Sequence, residues 1–597
     1  MTRGKWFSAF VALAVFAPGD AAARDFTVTS FDGTRIEAHF FPAANAPPGA
    51  RAPTVLYGPS WGNAGATDDD GPMEEGDGPI GVGTLRRAGY NVLTWDPRGF
   101  GASGGEAKLD SPAYEGRDVQ ALLDALAQFP EAALDAAGDP RAGMTGSSYG
   151  GGVQWVSAAI DRRIDAITPT VAWHSLVSSL YKGETFKAGW GSILCGTGAA
   201  EGVSTGLVNP RGIETGSMDP HMYSICQSGL GTGRISDADR DWLADRGPGT
   251  TWTRLVRAPT LVLHGNADTL FTLAEAIENF RVLRSNGVPS RMLWFCGGHG
   301  TCRTPRGLAR VEGAILRWFG RHLMGQGSVD TGAGFEWIDQ DGLWHQAADY
   351  PPPPAGHVSG SGTGTLRLVP GDAASSGTAI SATPAANGVE VSVVPPPRPA
   401  ELLGPPRLEL DYRGVGTASA AHAYAQIVDV ERDTVVGGQV TPLPLVLDGA
   451  AHELQVDLEP LAYVLTSTSR LRLQIVSATN VYGGQRVSGS VDLTDIGLTL
   501  PLGGGAAPGP PGPVPCTPRF APRAVRSRGD GRVRMRPRVL CGTSRLRLRV
   551  RISDGRRRWT RRTGRVTTLR VRPGARRLVV RFRHEGRKHR VVVPIRR

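Results

Sequence analysis

The stretch Gly146-Ser147-Ser148-Tyr149-Gly150 constrains the fold more than any other part of the chain. It reads G-x-S-x-G and runs on into Gly151 and Gly152. The turn-forming residues Gly138-Asp139-Pro140-Arg141 precede it, and an apolar, helix-compatible run over residues 152–159 follows. A strand that passes directly into a helix must turn sharply. Small neighbours allow that turn, and a serine at its apex stands clear of the backbone above the sheet. The spacing implies an α/β sheet that carries a nucleophilic serine.

The surrounding sequence has the rhythm such a sheet needs. Short apolar runs at 54–57, 91–95, 166–171, 260–264 and 291–295 read as strands. Helix-like segments at 114–129 and 273–285 separate some of them. Strands alternating with helical patterns predict a mostly parallel α/β domain over residues 24–326. Residues 173–251 interrupt the rhythm. They are rich in glycine and aromatics and hold Cys195 and Cys226. This stretch is expected to be a loop-rich cap over the carboxyl edge of the sheet, with little core of its own.

A serine nucleophile needs a base, and the base needs an acid to orient it. In an α/β sheet of this type both follow the serine, at strand ends. His264-Gly265-Asn266-Ala267-Asp268 follows one strand and Gly297-Gly298-His299-Gly300 the next. Ser148, His299 and Asp268 are therefore the expected nucleophile, base and acid, with His264 structural. The oxyanion needs two backbone donors. The N–H of Tyr149 follows the nucleophile directly. The second is expected from the loop Gly58-Pro59-Ser60-Trp61-Gly62, where proline has no N–H and Trp61 is preferred. Phe100 and Trp173, near strand ends, are candidate walls of a substrate pocket, and Glu184 is a candidate anchor for a substrate ammonium. Asp68-Asp69-Asp70 reads as an acidic solvent loop rather than a cation site. The chemistry requires no metal or organic cofactor, and no Cys/His spacing suggests zinc.

Beyond residue 326 helical signals fade. Alternating runs at 364–369, 389–394, 407–412, 423–428, 452–457, 470–475 and 488–493 predict an antiparallel β-sandwich over 327–502. A Gly/Ala/Pro linker follows at 503–515. Residues 516–597 hold 29 Arg or Lys against 3 Asp or Glu, whereas the rest holds 37 against 52. An acidic body thus carries a basic C-terminal piece. Residues 545–552 alternate without a break and Asp554-Gly555 offers a hairpin turn, so a small folded β-module is expected there. Its arginine face suits acidic cell-envelope polymers or nonspecific contact with nucleic acid.

Residues 1–23 read as a signal peptide, with Arg3 and Lys5, an apolar run over 6–16, and Ala21-Ala22-Ala23. The run is too short for a membrane span, and export is the expectation. Six cysteines suit that compartment and fall into local pairs: Cys195 with Cys226, Cys296 with Cys302, and Cys516 with Cys541.

The segment Asp96-Pro97-Arg98-Gly99-Phe100-Gly101-Ala102-Ser103-Gly104-Gly105, the serine motif, Asp268 and His299 together resemble the X-prolyl dipeptidyl peptidase and cocaine-esterase-like family of serine hydrolases. The resemblance covers residues 25–502. It implies an α/β-hydrolase domain, a helical cap and a C-terminal jelly-roll resembling galactose-binding modules. It also implies release of N-terminal Xaa-Pro dipeptides, or cleavage of acyl esters. The family's oxyanion loop commonly carries a tyrosine where Trp61 stands here. A third reading is a non-catalytic envelope-binding protein, which an intact Ser148–Asp268–His299 set opposes.

Overall fold

The computed structural model describes residues 23–596 apart from 45, 48, 72–77, 206–217, 303–306 and 372–380, and, near the C-terminus, 504–506, 509–518, 522–524, 527–531, 542–543, 547–548, 564–566, 573–574 and 585–586. The expected leader, all but Ala23, lies outside these residues. So does Cys516, and with it the expected bond to Cys541. The chain forms two compact units, Met1–Gly509 and Pro510–Arg597.

The first unit is built on an eleven-stranded sheet. Seven neighbouring strands run parallel, in the spatial order Asn91–Trp95, Thr54–Gly58, Ala142–Ser147, Ile164–Thr170, Thr260–Gly265, Ser290–Phe295 and Phe335–Ile338. The antiparallel pair Arg24–Thr29 and Arg35–Phe41 extends one edge. Trp344–Ala347 and Ala507–Pro508 extend the other. The central strands are buried on both faces, which is why they read as apolar runs rather than alternations.

Helices cover both faces. Glu115–Leu126, Tyr149–Ile160 and Leu273–Ser285 pack Leu122, Val153 and Phe280 against Leu93, Met144 and Met292. On the opposite face Leu308–His322 presents Val311, Ala314, Ile315, Trp318 and Phe319 at helical spacing to Val55, Leu261 and Leu293. Among the described residues no helix is long and apolar enough to cross a membrane.

Two expected boundaries shift. Phe335–Ile338, placed by the sequence in the β-sandwich, pairs in parallel with Ser290–Phe295 and belongs to the α/β sheet. The fading of helical signals at residue 326 marks a change of pattern but not the sheet that the next strand joins. Ala507–Pro508, inside the expected linker, pairs with Trp344–Ala347 and closes that sheet's edge.

The β-rich part of this unit is a nine-stranded antiparallel sheet system. Its longest strand, Arg407–Asp429, joins two runs read separately from the sequence. One end pairs with Gly489–Gly503 and the other with Leu471–Val476, while Thr441–Asp457 follows it along its length. Leu408, Leu410 and Tyr412 point into the core and Glu409, Asp411 and Arg413 out of it, as a period of two requires.

Polar contacts tie this region to the α/β sheet. Gln340 accepts from Val464 N at 3.0 Å and donates to Val464 O at 2.9 Å. His345 lies 2.9 Å from both Asp339 and Glu401. Burial alone would favour the neutral ring, but the two carboxylates outweigh it and raise His345 from 6.5 to about 9. The stabilisation is therefore complete below pH 6.5 and is lost as pH rises through about 9. After solvent screening it amounts to about 1–2 kcal/mol. The His345→Gln variant should lose that much at mildly acidic pH and clearly less in alkali. Thermal denaturation at both pH values checks this, and an equal loss at both would contradict it.

The second unit is all β among its described residues and has its own core, including Val533, Val550, Leu578, Val580 and Val593. The unbroken strand expected over 545–552 is split. Ser544–Leu546 and Arg549–Ser553 belong to different sheets. Arg549–Ser553 makes a hairpin with Arg558–Arg562 around Asp554-Gly555, where the turn was expected.

Candidate active site

Ser148 sits between the strand Ala142–Ser147 and the helix Tyr149–Ile160, with φ 56° and ψ −117°. That left-handed backbone is costly for a non-glycine residue, and its surroundings hold it. Ser148 N donates to Thr170 O at 2.9 Å, and Ser148 O accepts from Gly151 N and Gly152 N at 2.8 Å. Gly150 must lack a side chain, because a Cβ there would collide with the carbonyl oxygen of Gly58. The start of the helix is thereby pressed against the loop that follows Thr54–Gly58.

The base and acid arrive from the ends of the two strands named by the sequence. His299 Nε2 lies 2.9 Å from Ser148 Oγ, and His299 Nδ1 lies 2.6 Å from Asp268 Oδ2. The same carboxylate oxygen accepts from His299 N at 3.1 Å. Asp268 Oδ1 accepts from Leu270 N at 3.0 Å and Phe271 N at 2.9 Å. Asp268 is fully buried, and desolvation favours its neutral form. The His299 imidazole and these hydrogen bonds outweigh that and hold it below the usual carboxylate range. Trp190 and Phe271 meet the His299 ring edge-on at 5.7 and 5.1 Å, which fixes its plane. His264 is buried and its Nε2 lies 2.7 Å from Phe271 O, a structural role as expected. The structure thus brings Ser148, His299 and Asp268 together.

Two residues that support this geometry were not found from the sequence. Gln439, from the β-rich region, donates to Asp268 O at 2.7 Å. Lys187 is buried and its Nζ donates to the carbonyls of Thr269 at 3.0 Å and Leu270 at 2.9 Å. Burial pushes Lys187 down to about 8. Both hold the backbone of the acid loop. A lone lysine among Phe186, Ala188 and Trp190 was a usable signal; Gln439 carried none.

A cavity of about 620 Å³ opens over Ser148 and His299. Trp61, Trp190, Ile193 and Leu194 are among its walls, and its volume suits a small ligand. Tyr149 opens the helix, so its N–H is one of the first-turn donors without an intrahelical acceptor. Its phenol is buried and donates to Glu115 Oε1 at 3.1 Å, away from the cavity. Trp61 lines the cavity, but its indole N–H donates to Leu194 O at 3.1 Å. Only its backbone N–H is left as an oxyanion donor.

Residues 32–301 match the model of the X-Pro dipeptidyl-peptidase (S15) family. The chain is a serine hydrolase, and this part of it is similar to that family. Similar solved structures include an α-amino acid ester hydrolase (12% identity, TM-score 0.61, covering 83% of this chain and 100% of that one). A CocE/NonD family hydrolase from Staphylococcus aureus (13%, 0.55, 81% and 97%) and an aminopeptidase from a marine sediment Thaumarchaeota archaeon (13%, 0.59, 83% and 99%) are also similar. At these identities they show a shared fold. Among curated proteins, a polyketide transferase from Penicillium is 28% identical over 142 residues, 24% of this chain and 42% of that protein. An uncharacterized 31.7 kDa Escherichia coli protein is 33% identical over 95 residues, 16% of this chain and 32% of that one. The chain thus spans less than half the length of either curated relative.

The hydrolase corrects the expected substrate pocket. Phe100 is fully buried against the rings of Trp61 and Tyr149, behind the cavity wall. Trp173 packs on Phe271 in the core. Glu184 is exposed and faces Arg234 at 3.7 Å. None of the three lines the cavity. Proximity to a strand end does not fix which way a ring points.

The cap is helical, as the family resemblance implies, and not the loop-rich stretch that its composition suggested. Its described part is largely helical, with Ala188–Thr205, Pro220–Thr232 and Asp237–Ala244, and it has buried side chains of its own in Phe186, Met222, Ile225 and Leu243. Its many glycines hid this, since glycine disfavours helix. Gly191 and Gly229 lie against the Phe186 ring, where a Cβ would collide. Cys195 and Cys226 are joined, linking the first two of these helices. Cys296 and Cys302 are joined across the His299 loop.

The Asp-Pro-Arg-Gly segment is structural. Asp96 accepts from Gly65 N and Ala102 N, each at 2.7 Å. Arg98 forms a buried two-bond pair with Asp118, both at 2.7 Å. Asp69 and Asp70 face Arg86 and Arg87, consistent with a solvent loop. Among the described residues no His, Cys, Asp and Glu cluster is arranged to hold a metal.

Proposed function

We propose that this hydrolase cleaves small acyl esters through a covalent acyl-enzyme. Ser148 Oγ attacks the carbonyl while His299 Nε2 takes its proton. Tyr149 N–H and Trp61 N–H stabilise the oxyanion, and His299 then protonates the leaving group. Water activated by His299 releases the acid. The 2.9 Å contact between Ser148 and His299 carries this reading.

The cavity wall favours an ester. Among the described residues that line it, His299 is the only ionisable side chain, and the cap contributes tryptophan, isoleucine and leucine. Such a pocket suits an apolar acyl group. With Glu184 outside it, a substrate ammonium has no carboxylate partner among those residues. Release of Xaa-Pro dipeptides is the second reading, supported by the family-model match over residues 32–301. The antiparallel region fits a jelly-roll that braces the site rather than binding sugar, a role supported by the Gln439 bond to the acid loop. Export is supported by the basic, apolar and small-residue order of residues 1–23 and by the Cys195–Cys226 bond.

Paired kinetics on a butyrate ester and on Gly-Pro-anilide test the choice, with Ser148→Ala as control. The expected result is Ser148-dependent ester cleavage with kcat/KM at least about tenfold above that for the anilide. The reverse ratio would establish the dipeptidyl peptidase.

A further inference from the structure

The second unit repeats one charge on one face of a sheet. The five-stranded sheet contains Arg549–Ser553, Arg558–Arg562, Arg577–His584 and Arg587–Arg596. Val550, Ile552, Leu578, Val580, Phe582 and Val593 fill its buried face. The strand period of two sends their neighbours to the other face. There Arg551 stands opposite Arg581, and Arg581 opposite Arg590, so three arginines cross three adjacent strands in one row. Arg549 stands opposite Arg562 in the next row. All five are exposed.

Like charges directly opposite each other destabilise a sheet. Nothing on the described part of this unit neutralises them. Residues 516–597 contain three carboxylates, Asp530, Asp554 and Glu585. Asp554 is buried and accepts from the backbone N–H groups of Arg556, Arg557 and Arg572. Asp530 and Glu585 fall outside the described residues. Among the described residues, none of these five arginines has a carboxylate partner. Neighbouring positions lie about 4.8 Å apart across strands and about 6.6 Å apart along one, so the five arginines form two adjacent rows of positive charge.

We propose that this face binds a linear phosphate polymer without bases, as a phosphodiester polymer of the cell envelope would supply. Arginine outnumbers lysine 28 to 1 in residues 516–597, and the planar guanidinium matches a phosphate with two parallel hydrogen bonds. Regular charge spacing suits a repeating polymer better than a single anion. Single-stranded nucleic acid is disfavoured because it is held through aromatic stacking platforms. The face offers none at positions 549, 551, 553, 558, 560, 562, 577, 579, 581, 590, 592 and 594, and Trp559 packs toward the core.

The full chain is titrated with long-chain inorganic polyphosphate, with single-stranded oligonucleotide and with duplex DNA, over a salt series from about 50 to about 200 mM. Polyphosphate is expected to bind tightest, with log affinity falling linearly in log salt. The R551Q/R581Q/R590Q variant should bind it at least about tenfold more weakly, with a salt slope smaller by about 2–3. The exposed control R35Q/R367Q/R413Q, which removes equal charge from the first unit, should change affinity less than about twofold. If thermal melting shows the triple variant unfolded, Arg581→Gln at the centre of the row is read instead, with a loss of about threefold. Wild-type affinity in the folded variant, an equal loss in the control, or tighter binding of nucleic acid at every salt would overturn the proposal. Ester hydrolysis measured in parallel should not change, which separates this proposal from the one about Ser148.

Discussion

Replacing Ser148 by alanine is expected to lower kcat by about 10⁴–10⁶ while leaving KM within a few-fold. The His299→Ala variant should lose about as much, and the double variant no more than either single one. The reason is geometric. At 2.9 Å from His299 Nε2, the Ser148 hydroxyl can pass its proton as it attacks, so each group is useful only with the other. The oxyanion donors and the cavity stay in place in all three variants and set a common residual rate. Measured kcat on the best ester checks this. Losses that multiply in the double variant would mean that His299 is not the base for Ser148. The fold should tolerate the change, since the hydroxyl lies beside the cavity and the strained backbone is fixed by Thr170, Gly151 and Gly152 rather than by the side chain.

What could be seen in the sequence follows from the range of the interactions involved. The serine turn is local: strand, small residues and helix lie within a few positions, and the structure has them there. Parallel strands such as Thr54–Gly58, Asn91–Trp95, Thr260–Gly265 and Ser290–Phe295 were legible because burial on both faces makes them largely apolar. Asp268 and His299 were legible because the strands they follow were. The rest depended on contacts distant in sequence. Phe335–Ile338 falls just past residue 326, where helical signals fade, and its parallel partner, Ser290–Phe295, could not be read from that change. The cap helices were hidden by glycines whose purpose is to approach Phe186. Phe100 and Trp173 carry the composition of a pocket wall, but ring direction is decided by neighbours far along the chain. Gln439 acts on Asp268 from 171 residues away, through one side-chain amide. Such a contact leaves no periodicity, motif or charge pattern to notice.

The Asp268→Asn variant is expected to keep its fold and lose about 10⁴ in kcat near neutral pH, a wrong-tautomer defect. The native carboxylate is acceptor-only. Its Oδ1 takes the N–H groups of Leu270 and Phe271, and its Oδ2 takes those of His299, backbone and ring. An amide has one acceptor oxygen and one donor nitrogen. The two N–H groups of the loop claim the oxygen, so the NH₂ must face His299. The ring then accepts at Nδ1 and carries its proton on Nε2, the atom that should take the proton of Ser148. Catalysis fails although every side chain is within a few tenths of an ångström of its native place. Opposing the NH₂ to the backbone N–H of His299 costs about 1–3 kcal/mol of stability, which the buried loop, held also by Gln439 and Lys187, should withstand. Two readouts separate this from simple loosening of the loop. Nitrogen NMR of the ring should show the proton moved from Nδ1 to Nε2, and the melting temperature should fall only modestly. A variant that keeps kcat within about tenfold of wild type, or that keeps the native tautomer, would refute the orienting role of Asp268.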